Sequence, residues 1–160
     1  MIKLCLSIIM ALASTVVNAA TAVPEYVSKN AYILAYYDFP KAVDIVAIAF
    51  IESTFRHDVV SNKAAIGVMQ VIGGSKDPLL NMQSGVALLR EYYLKLGSTS
   101  AAIQAYNIGI GNYTKGKRLD RGVYYLSKFN KGRKEYAKVT SSYIAGIGCH
   151  SCSIGVIHGR

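Results

Sequence analysis

Residues 43–51 read Val-Asp-Ile-Val-Ala-Ile-Ala-Phe-Ile, apolar at every position except Asp44. Introduced by Pro40 and followed by the turn formers Asp58, Ser61 and Asn62, this run is a helix apolar nearly all round, and such a helix belongs in a core. At 160 residues the chain is one domain's worth of sequence, long enough to bury it. The next residue is Glu52. Four positions after Ile48 and three after Ala49, it shares their face. Burial penalises a carboxylate, so the pKa rises, and an acid still protonated near neutral pH is what general acid catalysis uses. Two plainer alternatives stand beside this: a glutamate reaching water from a helix end, or one paired with Arg56 four residues on.

Helical patterning continues over most of the chain. Residues 24–38 form a tyrosine-rich helix with Pro24 in its first turn. Residues 54–75 are irregular and punctuated by Gly73 and Gly74. Asn81 is placed to cap a helix whose apolar positions Met82, Val86, Leu89 and Tyr93 step by four, three and four. Ser98 or Ser100 caps the next, which carries Ala101, Ala102, Ala105 and Tyr106 and stops near Gly109. Residues 112–132 are basic and glycine-punctuated, which predicts a long loop or short helices, with a last helix over 133–145.

The two ends carry different information. Lys3, an apolar stretch over 4–17 and the small residues Ala19 and Ala20 form a secretory leader pattern over 1–19, with cleavage near Ala19. That stretch falls short of the roughly 20 residues that span a bilayer, so the mature chain is expected to be exported, periplasmic and without an integral membrane segment. Removal of the leader takes Lys3 with it and lowers the formal charge from +9 to +8. Lys115, Lys117, Arg118, Arg121, Lys128, Lys131, Arg133, Lys134 and Lys138 concentrate the excess, against only Asp120 and Glu135. This stretch is either a binding surface for an anionic cell-wall polymer or simply a solvated face; export argues against nucleic acid. Cys149 and Cys152 lie in a Gly- and Ser-containing tail over 146–160. A small disulfide loop is the preferred expectation there. A redox pair would want a βαβ context and a metal site a second ligand pair, so no metal is expected.

After Glu52-Ser53 come Ser61, Ala64-Ala65-Ile66-Gly67-Val68-Met69-Gln70, Asn81 with Gly85 four residues later, and Ala105-Tyr106-Asn107-Ile108-Gly109. In this order the blocks resemble the soluble lytic transglycosylases, a goose-lysozyme-like family, over roughly residues 40–110, with a weaker echo at Tyr136 and Val139. Two departures stand out: Ala64 replaces a usual glycine, which is unfavourable if the position needs a positive φ, and Val68 replaces a usual leucine. The segment between Gln70 and Asn81 is also short.

The resemblance implies a mainly α, lysozyme-like single domain over 20–145, with a cleft and a short loop or hairpin beside it. It implies cleavage of the β-1,4 bond between N-acetylmuramic acid and N-acetylglucosamine in peptidoglycan glycan strands, the muramyl C6 hydroxyl closing a 1,6-anhydro ring. Glu52 would be the single catalytic acid, the substrate's acetamide replacing a second carboxylate. Ser53, Ser61, Gly67, Met69, Gln70, Tyr106, Asn107 and Tyr136 are the expected substrate-binding residues. Gln70 offers amide hydrogen bonds, Met69 an apolar wall, Tyr106 a hydroxyl for Glu52 or a ring for a sugar, and Asn107 a polar anchor or helix C-cap. Tyr136 belongs on the cleft rim. Asn81 is mainly structural and His57 a surface bystander. No Ser/His/Asp order, P-loop or dinucleotide fingerprint occurs, and no cofactor is expected. By analogy, a small exported enzyme of this kind serves a secretion, conjugation or pilus apparatus. The rivals are hydrolysis of the lysozyme type and a non-catalytic wall-binding protein.

Overall fold

In a computed structural model, which describes residues 22–151, the run 43–51 lies at the centre of the molecule. The element order is α1 (Glu25–Leu34), α2 (Ala42–Ser53), β1 (Ala65–Ile66), β2 (Val71–Ile72), α3 (Pro78–Leu96), α4 (Thr99–Ile108), α5 (Ile110–Thr114) and α6 (Leu119–Ser151). The domain is mainly α with one two-stranded antiparallel hairpin, pairing Ala65 with Ile72 and Ile66 with Val71. The expected leader at 1–19 and the side chains of the expected Cys149–Cys152 disulfide lie outside what the structure describes.

Helix α2 is the core. Ile45, Val46, Ala47, Ile48 and Ala49 are all fully buried, and α1 and α6 pack against them. Each large aliphatic side chain buried this way contributes roughly 1.5–3 kcal/mol. Asp44, the one polar break in the run, is also buried. Its Oδ2 accepts the Lys41 backbone N–H at 2.9 Å, and its Oδ1 faces Arg133 Nε at 2.8 Å. Burial raises its pKa, against the pull of these two partners. Asp44 thus closes the start of α2 and ties it to α6.

Helix α3 begins earlier than expected. Asp77 caps it, its Oδ1 accepting the Leu80 N–H at 2.9 Å, and Pro78 takes the first helical position. Asn81 is therefore inside the first turn, fully buried, and its side chain serves another segment. Ser98 caps α4, as its position predicts. That helix ends at Gly109 (φ +83°), so the C-cap belongs to Gly109 and not to Asn107.

The largest correction concerns 112–132. Instead of a long loop or only short helices, this stretch holds the short α5 and the first half of one long helix, α6, which runs on through residue 145. Gly122, Tyr125, Phe129, Gly132, Tyr136 and Thr140 form its buried stripe, at spacings of three and four. The two glycines act as close-contact points rather than breakers. A Cβ at Gly122 would stand 3.1 Å from Gln104 Cβ, and one at Gly132 would stand 3.5 Å from Ala47 Cβ. Absent side chains let α6 lie close on α4 and α2.

Candidate active site

Glu52 occupies the last turn of α2, one residue before the helix ends. Thr54 (φ +54°) and Phe55 (φ +65°) then turn the chain sharply away, with the Thr54 N–H bonded to the Phe50 carbonyl. Arg56 follows the turn and donates to the Ser53 carbonyl at 3.1 Å, which disposes of the helix-surface ion pair with Glu52. Burial pushes the Glu52 carboxyl up to about 7, while the Tyr125 hydroxyl and, more weakly, the Lys128 charge pull the other way. Tyr125 Oη donates to Glu52 Oε1 at 2.5 Å. Burial, followed by the Glu52 charge, lifts the Tyr125 phenol well above its ordinary value, so it stays protonated and a donor.

A single loop stands beside this carboxyl, and side chains hold it at nearly every turn. Ser53 Oγ donates to the Val68 carbonyl at 2.8 Å. Tyr106 Oη donates to the Met69 carbonyl at 2.7 Å. Asn81 accepts the Met69 N–H at 2.8 Å and donates to the Ile66 and Ser75 carbonyls at 2.7 and 3.0 Å. Gln70 (φ +50°) folds back, its Nε2 donating to the Gly67 and Val59 carbonyls at 3.0 and 3.2 Å. Ser61 Oγ accepts the Ala65 N–H at 3.1 Å and closes the turn that enters β1.

The small residues of the blocks now have a spatial reason. Gly67 has φ +77°, and a Cβ there would meet the Asn81 side chain at 2.7 Å. A Cβ at Gly85 would stand 2.8 Å from Met69 Sδ. Asn81 and Gly85, one turn apart on α3, thus receive the loop: one binds its backbone, the other makes room for Met69. Ala64 has φ +57°, so the alanine does occupy a left-handed position that a glycine would fill without strain.

Several expected site residues change role here. Met69 is fully buried against Gly85 and is core, not the wall of an open cleft. Tyr136 is also fully buried, edge-on to Phe50 and Phe55 at ring separations of 5.4 and 5.7 Å, because it lies on the inward stripe of α6; the rim position does not hold. The Ser53 and Tyr106 hydroxyls and the Gln70 amide nitrogen are engaged by backbone carbonyls. The Tyr106 hydroxyl therefore does not hold Glu52, although that charge reaches it and, after burial, raises its pKa. His57 is exposed, as expected. Among the described residues, no group of three or more His, Cys, Asp or Glu side chains is arranged to hold a metal, and no helix is long and apolar enough to cross a membrane.

Tyr125 is the residue that the motif blocks did not supply; the helical spacing of 122, 125, 129, 132 and 136 was its sequence mark. It also lines a depression of about 400 Å³ together with Asn107, Asp120, Arg121, Tyr124 and Lys128. Asn107, exposed at the end of α4, is the one expected binding residue that faces this opening. The chemistry available is therefore proton transfer at Glu52, beside a polar opening fed by α4 and α6.

Comparison with known proteins bears on these same elements. The family model described as the transglycosylase SLT domain matches residues 73–122, which takes in Asn81, Gly85, the Tyr106–Asn107 block and the start of α6. Glu52 and the loop over 59–72 precede the matched segment, and the packing above joins them to it. No curated protein and no solved structure matches the chain. A domain of this kind supports peptidoglycan-directed, lytic transglycosylase-type activity in general terms. The family that the ordered blocks resemble and the family whose model matches residues 73–122 are thus the same, that of the transglycosylase SLT domain.

Proposed function

We propose that the protein is an exported, periplasmic lytic transglycosylase that cleaves the bond between N-acetylmuramic acid and N-acetylglucosamine and leaves 1,6-anhydromuramyl ends. The observation that carries this is the Glu52 carboxyl, raised to about 7 and held by Tyr125 at 2.5 Å. A group poised near neutrality serves both halves of the reaction. Protonated, Glu52 gives its proton to the glycosidic oxygen as the bond to C1 breaks. Ionised, with the Tyr125 O–H donated to its Oε1, it takes the proton from the muramyl C6 hydroxyl as that oxygen closes on C1. The substrate's acetamide oxygen stabilises C1 in between, which removes the need for a second carboxylate. Asp44 and Asp77 are committed to helix starts.

Tyr106 and Asn81 act by fixing the loop that flanks the acid, and Asn107 by offering its amide to the bound glycan. Service to a secretion, conjugation or pilus apparatus is the physiological setting we attach to this activity, on the strength of a small exported chain. The test incubates the protein, and Glu52→Gln beside it, with purified sacculi and weighs the released muropeptides. Products lighter by one water from the wild type alone are expected. Hydrated reducing ends would make the reaction a hydrolysis, and silence from both proteins would leave a wall-binding protein.

A further inference from the structure

We propose that the depression at the start of α6 binds a carboxylate carried by the glycan substrate, held between the Arg121 guanidinium and the Lys128 ammonium. This rests on the peptidoglycan reading above and names the part of the substrate that the site selects.

Arg121 and Lys128 differ from the other unpaired cations of the basic helix in lining the opening that contains Tyr125, the partner of Glu52. The ion pairs among the described residues are Arg90–Asp38, Lys95–Glu91 and Arg133–Asp44, and neither Arg121 nor Lys128 belongs to one. Both line the same opening, whose remaining charge is the single carboxylate of Asp120, so it keeps an excess positive charge. Lys128 is also held in place: its Nζ sits 4.6 Å from the centroid of the Tyr124 ring, a cation–π contact that fixes a flexible side chain. Position supplies the rest. Tyr125 belongs both to this opening and to the hydrogen bond with Glu52, and the Lys128 charge is felt at the Glu52 carboxyl. An anion bound here therefore shares Tyr125 with the proton donor.

The arrangement suits a planar anion better than a point charge. Arginine presents two parallel N–H groups to a carboxylate, and lysine adds a third donor from the side. Tyr124, 64 % exposed, offers a flat face beside them, and Asn107 and Asp120 can take up amide groups next to the anion. A glycan strand of this class carries carboxylates in two places: the lactyl group of muramic acid where the peptide has been removed, and the stem peptide where it has not. A volume of about 400 Å³ admits a carboxylate with several flanking atoms.

The experiment measures binding by calorimetry in the Glu52→Gln background, so that probes are not consumed. Three probes are titrated: a disaccharide–tetrapeptide, the same molecule with its carboxylates amidated, and the disaccharide with a free lactyl carboxylate and no peptide. Amidation is expected to weaken binding about tenfold. Arg121→Gln and Lys128→Gln, both at exposed positions, should each weaken the acidic probes by about the same factor and leave the amidated probe unchanged, with melting temperatures as in the parent. Equal binding of the peptide-free probe assigns the anion to the lactyl group; binding of the peptide probe alone assigns it to the stem. Parent-like affinity of both variants for every probe overturns the proposal. Sacculus digestion by wild type is run in parallel. Digestion with charge-blind binding removes this site and leaves the enzyme, whereas charge-dependent binding without digestion removes the enzyme and leaves the site.

Discussion

Residues 59–74 and the first half of α6 both meet α2 at its C-terminal end, yet they treat their polar atoms in opposite ways. The loop's carbonyls are taken up by side chains, one of its own and three from the helices around it: Gln70, Ser53 on α2, Asn81 on α3 and Tyr106 on α4 all donate to them. On α6 the hydrogen bond from Tyr125 goes to Glu52, and Arg121 and Lys128 are left open to the depression. The loop is irregular backbone that hydrogen bonds must hold in one shape, since few of its own amides pair in a sheet. The helix satisfies its backbone internally and leaves its side chains available for chemistry. Residues that look like ligand binders in sequence are therefore part of the scaffold, and the groups that face the acid come from a segment whose composition looks like a loop.

Four substitutions sharpen or break this contrast. The largest effect is expected from Glu52→Gln, which should lower turnover about a thousandfold by removing the proton donor. The same variant should be more stable at alkaline pH. The folded carboxyl titrates at about 7, above the ordinary value of 4.5. Ionisation thus opposes folding: the contribution of Glu52 is intact below about pH 4.5 and is lost as pH rises through 7, by roughly 3 kcal/mol. Denaturant melts should show a gain of that order for Glu52→Gln above pH 7.5 and none near pH 4. A uniform loss at both would show that Glu52 is a structural residue.

Asn81→Ala comes next, because it strands a buried backbone N–H and two carbonyls of the loop. A loss of about 3 kcal/mol in stability is expected, with activity falling alongside. Preserved stability would mean that the loop does not depend on α3. Tyr125→Phe tests the other wall. It keeps the packing of the buried ring and removes one hydrogen bond that favours the carboxylate, so the Glu52 pKa should rise further. Roughly tenfold lower kcat is expected. The alkaline limb of the pH–rate profile, set by loss of the Glu52 proton, should move to higher pH; an unmoved limb would sever Tyr125 from the acid. The smallest effect is Ala64→Gly, which relieves a left-handed alanine but adds freedom to the unfolded chain. A net gain of about 0.5 kcal/mol, read by thermal melting, is the expected balance.

How much of this was legible in the chain follows from the kind of interaction involved. The run 43–51 announced a core helix, since nothing but burial accommodates nine positions with one polar member, and Glu52 was visible as an acid at its end. The start of α3 is ambiguous in sequence because Asp77 and Asn81 are both capping types; Pro78, at home in a first turn, is the sign that favours Asp77. The first half of α6 was hidden because Gly122 and Gly132 usually signify a break, and only their neighbours Gln104 and Ala47 reveal them as contact points. The inward roles of Ser53, Gln70 and Tyr106 depend on which carbonyls the folded loop presents, and no local pattern encodes that. Tyr136 has the spacing of the buried stripe, and that spacing places it in the core.

The position of the two acids on α2 has a consequence of its own. An α-helix carries partial positive charge at its first turn and partial negative charge at its last, and Asp44 stands at the former while Glu52 stands at the latter. The backbone therefore favours the anion at Asp44 and the neutral acid at Glu52, in the same direction as burial at Glu52. One helix thus biases two carboxyl groups in opposite directions by the end at which it presents them, opposing burial beside Arg133 at Asp44 and adding to it at Glu52.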